Sequence, residues 1–192
     1  MTTFAFCALV SPGVTTSILA LSHVWPADHA ITVVDCAPSG GTIGQRLALP
    51  LDRGLASLAA RARTEILTGT VAAQELHRAG EVAVLCAPTS GRSVTAALAR
   101  LGPQFATVLG ELPGDVLIDC GRIWPGSPAL PVVRAADRVI LVSRATAVEL
   151  ERVAADGGPT LGGSSETGGG WARPDVTAPP ATGVAPLCLR GC

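Results

Sequence analysis

The stretch Phe4-Ala5-Phe6-Cys7-Ala8-Leu9-Val10-Ser11-Pro12-Gly13-Val14-Thr15-Thr16-Ser17 decides how this chain is read. Its first seven residues form a continuous apolar run, the pattern of a strand covered on both faces. Ser11-Pro12-Gly13 breaks the run, since proline fixes φ and glycine admits left-handed backbone. Thr15 to Trp25 then reads as a helix, with Pro26 as its stop. Strand, glycine turn and helix in that order set free backbone N–H groups at a helix start, where an anion can be held.

Working outward, the turn can be compared with the phosphate-binding pattern G-x-x-x-x-G-K-[ST]. Gly13, Thr15 and Thr16 fit it, and Val14 stands where the lysine belongs. The chain has no lysine at all: its 14 basic residues are all arginine. A charge pair at ~4 Å is worth roughly 4 kcal/mol at an effective dielectric near 20. Losing even a fraction of that costs tenfold or more in affinity. Pro12 also lacks an N–H to offer a phosphate. Taken alone, the loop is equally well a generic strand–turn–helix corner.

Composition bounds the rest. At 192 residues the chain suits one domain with a substantial core. Hydrophobic residues make up 48% and aromatics only 3%, so Ala, Val, Leu and Ile must build that core. A net charge of −1 leaves no electrostatic footprint for nucleic acid. No apolar run approaches the ~20 residues of a membrane span, and no signal-peptide pattern precedes the first strand. A cytoplasmic location is expected. The six cysteines (Cys7, Cys36, Cys86, Cys120, Cys188 and Cys192) form no CxxC pair and read as reduced core thiols, with Cys36, Cys86 and Cys120 each closing an apolar run.

Strands are predicted at Thr3–Val10, Ala30–Asp35, Glu81–Ala87, Asp115–Cys120 and Arg138–Ser143. Helices are predicted at Thr15–Trp25, Gly54–Arg63, Glu65–Arg78, Ser93–Leu112 (interrupted by Gly102-Pro103), Ala129–Ala136 and Thr146–Ala155. In the last, Thr146 and Glu149 have capping-box spacing. The alternation predicts an α/β fold with a mostly parallel sheet. Residues 1–155 form the expected domain. From Asp156 to Cys192 the chain is rich in Gly, Pro, Ser and Thr without periodicity, and a disordered tail is expected.

Two carboxylates extend the argument. Ile31-Thr32-Val33-Val34-Asp35 and Val116-Leu117-Ile118-Asp119 are both apolar strands ending in aspartate. In open α/β sheets ligands bind at that edge, and an aspartate facing a phosphate loop there reaches magnesium or its waters.

Together these residues resemble the ParA/MinD-type branch of P-loop ATPases, the deviant-Walker family that positions chromosomes, septa, pili and flagella. The resemblance covers roughly residues 3 to 154. It sets Leu9 and Val14 at the family's two loop lysines and Ser11 and Gly13 at glycines. Asp35, Pro38 and Gly40 match the D-x-D-P-x-G motif, with Ala37 at its second aspartate. Asp119 matches the third motif, and Ala135-Ala136-Asp137-Arg138-Val139-Ile140-Leu141-Val142 the fourth.

The resemblance implies a P-loop NTPase-like three-layer sandwich, with the C-terminal part missing or replaced by the tail. The abrupt change after Ala155 reads as a frameshift, a truncation or a mispredicted end. Ser11, Pro12, Gly13, Val14, Thr15 and Thr16 would hold ATP. Thr15, Asp35 and Asp119 would hold magnesium, and Asp35 and Asp119 are the catalytic candidates. Leu9, Val14 and Ala37 remove three charged parts of the hydrolytic apparatus, so hydrolysis is expected to be weak or absent. A homodimer could not use the family's lysine-dependent sandwich. Three functions follow: a positioning or regulatory factor with a degenerate nucleotide site and a protein partner; a scaffold that binds no nucleotide; and an ATPase rescued by a partner's arginine or by Arg46, Arg92 or Arg122.

Overall fold

The computed structural model describes residues 1–10, 13–26, 28–161 and 184–190, the stretches 157–161 and 184–190 by their backbone alone. Ser11 and Pro12, two of the expected loop residues, lie outside the described residues.

Seven strands form one sheet: β1 (Thr3–Ala8), β2 (Ile31–Asp35), β3 (His77–Ala79), β4 (Val82–Leu85), β5 (Asp115–Arg122), β6 (Arg138–Arg144) and β7 (Val184–Arg190). Their order is β3-β4-β2-β5-β1-β6-β7. The five central strands are parallel, and β3 and β7 run antiparallel at the two edges. All five predicted strands are present, within a few residues of their expected ends. Their apolar runs are buried on both faces, as continuous rather than alternating hydrophobicity requires.

The helices are α1 (Val14–His23), α2 (Ile43–Arg46), α3 (Leu55–Arg61), α4 (Gly69–Ala73), α5 (Gly91–Leu101), α6 (Gln104–Leu109), α7 (Leu130–Ala135) and α8 (Ala147–Leu161). One sheet face meets α1 and α2 through Phe6, Val14, Ile18, Val33, Ile43, Leu117 and Val142. The opposite face carries the larger core, where Leu58, Leu98, Phe105 and Leu130 from α3, α5, α6 and α7 close over Ala5, Val34 and Ile118. Phe6 and Phe105 are 1% exposed and are the two largest fully buried side chains. Aliphatic residues fill the rest, as the low aromatic content demands.

One expectation needs correction. Glu65–Arg78 is not one helix: α4 covers only Gly69–Ala73, and His77–Ala79 pairs antiparallel with β4. Tertiary contacts override local propensity here. Glu75 is buried and accepts hydrogen bonds from Ser57 Oγ, Gly54 N and Arg61 Nη1, which drags the chain out of helix. Gly80, at φ +60°, then makes the turn into β4.

Helix α8 runs to Leu161, beyond Ala155, and Val184–Arg190 pairs along the whole of β6. The paired backbone covers an edge that would otherwise present unmatched N–H and C=O groups. Pro186 pairs in register with Val142 on this edge strand, where proline is tolerated. The remainder of the expected tail, 162–183 and 191–192, lies outside the described residues.

Candidate functional site

Of the predicted site residues, those from Gly13 to Thr16, Asp35 and Asp119 lie where the sheet's parallel strands end. The chain passes from β1 outward to β2 and β4, returns as β5 between β2 and β1, and crosses to β6 on the far side. Such a switch in direction opens a crevice at the C-terminal strand ends.

Gly13 is the N-cap of α1, with φ +131°, a conformation that a side chain would strain. Its carbonyl accepts from Ser17 N at 2.8 Å, the first turn of the helix. No side chain caps this helix. Thr15 is turned to another use: its hydroxyl donates to Asp119 Oδ2 at 2.5 Å. Asp119 Oδ1 accepts from Gly121 N at 2.9 Å.

Asp35 and Asp119 sit opposite each other in the β2–β5 register. Both are buried, at 1% and 0% exposure. Burial, then repulsion by Asp35, pushes the Asp119 carboxyl up to about 6, against the hydrogen bonds from Thr15 and Gly121 and the Arg46 charge. Burial also raises Asp35, opposed by its bonds from Ile43, Ala37 and Thr42. Two carboxylates side by side out of water are a costly arrangement that an added cation relieves.

The two aspartates are nevertheless placed differently. Asp119 faces Thr15 and the start of α1. Asp35 serves the loop that follows it: Oδ2 accepts from Thr42 N at 3.0 Å and Ile43 N at 3.1 Å, and Oδ1 from Ala37 N at 3.3 Å. It therefore anchors α2. From the last residue of that helix, Arg46 Nη1 donates to Thr16 Oγ1 at 3.1 Å. Sequence reasoning named Arg46 without reason to prefer it over Arg92 or Arg122. Only the backbone path from Asp35 through Gly40-Gly41 to α2 brings it to the loop.

The positions expected to lack charge are filled in ways that keep them apolar. Val14 is 4% exposed and packs with Phe6, Ile18 and Val142. Leu9 packs against the opposite core, while its carbonyl accepts from Arg122 Nε at 3.1 Å. Ala37 is buried and contributes only its backbone, its N–H to Asp35 and its carbonyl to Gly40 N.

The cysteines divide by strand alternation. Cys7, Cys36 and Cys120 lie in the larger core, and Cys86 in the smaller. Burial drives the Cys7 thiol up to about 12 and Cys36 and Cys120 well above the usual range. Such thiols stay protonated and inert. Among the described residues no group of His, Cys, Asp and Glu could hold a metal by itself. Magnesium at Thr15, Asp35 and Asp119 would need a phosphate to complete its coordination, which suits an ion that keeps waters and binds with its nucleotide. A cavity of about 70 Å³ beside α3, lined by Leu51, Asp52, Ser57, Cys86 and Pro88 among others, involves none of Thr15, Asp35 and Asp119. No helix among the described residues is long and apolar enough to cross a membrane.

No family model matches the chain, and no curated protein matches it by sequence. Solved structures do match its fold. A ParA family ATPase from Chlorobium tepidum TLS superposes with a TM-score of 0.64 at 13% identity, over 83% of this chain and 66% of that one. The septum site-determining protein MinD from Pyrococcus horikoshii OT3, solved with Mg-ADP, gives 0.57 at 18% identity, over 78% and 61%. The kinase domain of the Escherichia coli tyrosine kinase ETK gives 0.58 at 16% identity, over 81% and 63%. The chain thus spans a little under two thirds of the length of these structures. With a parallel sheet in this order, a glycine-capped α1 after β1 and aspartates closing β2 and β5, the chain has the ParA/MinD-type P-loop ATPase fold.

Proposed function

We propose that this protein is a ParA/MinD-like positioning or regulatory factor whose degenerate site binds ATP and magnesium weakly and hydrolyses ATP slowly or not at all. The observation that supports this reading is the Thr15–Asp119 hydrogen bond at the first turn of α1, beside buried Asp35. In this reading the hydroxyl and the two carboxylates hold magnesium or its waters. The backbone N–H groups of Gly13 to Thr16 receive phosphate, as a helix start does. The ion would offset the carboxylate repulsion that raises Asp119.

Slow or absent turnover follows from the replacements. Val14 brings no charge to the transferred phosphate, and Leu9 none to a facing subunit. Ala37 offers no second carboxylate to activate water. A factor of this kind would act in the cytoplasm through a protein partner, in chromosome partitioning, septum placement, or pilus or secretion assembly.

The burial of Val14 in the core favours a second reading, in which the corner is purely structural and the chain is a scaffold that binds no nucleotide. Titration with Mg-ATP, followed by melting temperature, separates the two. Saturation to 100 times Kd adds about 2.7 kcal/mol of stability. A rise at millimolar Mg-ATP without phosphate release is expected. No rise would leave the scaffold, and rapid phosphate release would refute the degenerate site.

A further inference from the structure

We infer that Arg46 is the phosphate-binding cation of this site, supplied from α2 in place of a loop lysine; the inference rests on the nucleotide reading above. The loop has no cation of its own, because position 14 is a valine packed into the core. Of the three arginines named from sequence, Arg122 is turned to the Leu9 carbonyl. Arg92 makes no hydrogen bond or ion pair among the described residues. Of the three, Arg46 alone reaches the start of α1, through its hydrogen bond to Thr16 Oγ1 at 3.1 Å, and its charge acts on Asp119.

Its placement is built rather than incidental. Asp35 accepts the N–H groups of Thr42 and Ile43, and Arg46 N in turn bonds Thr42 O at 3.0 Å. The one turn of α2 between them carries the guanidinium from the carboxylate to the loop. A guanidinium has five donors in a planar fork. Arg46 uses one, and no carboxylate pairs with it among the described residues. The remaining edge suits two oxygens of a phosphate, which a lysine would meet only as a point charge. The ligand class is the polyphosphate chain of a nucleoside di- or triphosphate.

The experiment measures Mg-ATP and adenosine binding by calorimetry to wild type, Arg46→Ala, Arg46→Lys and Arg92→Ala. Arg46→Ala is expected to weaken Mg-ATP about tenfold or more. Adenosine binding should not change, Arg92→Ala should bind as wild type, and Arg46→Lys should recover part of the loss. The melting temperature of unliganded Arg46→Ala should stay near wild type, since Arg46 is exposed. Equal Mg-ATP affinity in wild type and Arg46→Ala overturns the inference and leaves the nucleotide reading standing. Equal losses for Mg-ATP and adenosine also overturn it, because the arginine would then shape the loop rather than hold phosphate. Failure of wild type to bind Mg-ATP at millimolar concentration overturns both.

Discussion

Thr15 turns its hydroxyl onto Asp119 instead of capping its own helix, and Asp119 has no exposure to water. The consequence is a proton-linked stability with a defined sign. The folded carboxyl titrates at about 6, above its value in the unfolded chain, because burial and Asp35 oppose its charge. The native state therefore binds this proton more tightly. The stability it contributes is fully present below about pH 4 and is lost as pH rises through about 6. Asp119→Asn removes the titration and relieves Asp35 as well. Relative to wild type it should gain roughly 2–3 kcal/mol between about pH 4 and pH 7. Asp115 and Asp137, both held low by hydrogen bonds, slope the opposite way but are common to both proteins. Urea denaturation at the two pH values measures the difference. A gap that does not change with pH would mean that Asp119 titrates as an ordinary aspartate.

At the scale of elements, α2 and the loop before it link Asp35 to the start of α1. The loop is held by backbone against backbone. Gly40 has φ +112°, and a Cβ there would stand 2.1 Å from the Thr89 carbonyl oxygen. Gly40→Ala should therefore cost about 2–4 kcal/mol of stability. It should also weaken any response to Mg-ATP, since the start of α2 shifts with the loop. Thermal melts with and without nucleotide test both parts, and a variant as stable as wild type would show that the loop yields freely. The sequence made this region only partly legible. Asp35 and the glycines that follow were visible as a motif, but four-residue α2 is too short to show a period. Strand β3 escaped for a related reason. His77–Ala79 looks helical locally, and becomes a strand because Glu75 is pinned by Ser57, Gly54 and Arg61 across a distance that local pattern cannot see.

At the scale of the molecule, the fold places Gly13 to Thr16, Asp35 and Asp119 at one sheet edge while covering both faces with aliphatic residues. Under the proposed nucleotide reading, the same arrangement limits how two copies could share the ligand. In that reading Leu9 offers a facing copy no charge, and it packs against this chain's own core. Light scattering is accordingly expected to give one mass with and without millimolar Mg-ATP. A doubling of mass on addition would show that a facing dimer forms through other groups. By itself the sequence determined the α/β class, the five parallel strands, the order of the motifs and the absence of every lysine. Those properties are carried by hydrophobic runs and residue identities, which are local. Tertiary structure alone decided that Val14 belongs to the core, that Asp35 anchors α2, that Arg46 rather than Arg92 or Arg122 meets the start of α1, and that Val184–Arg190 closes the sheet edge. Each of those depends on contacts between residues far apart in the chain, where burial and hydrogen-bond satisfaction outweigh local preference.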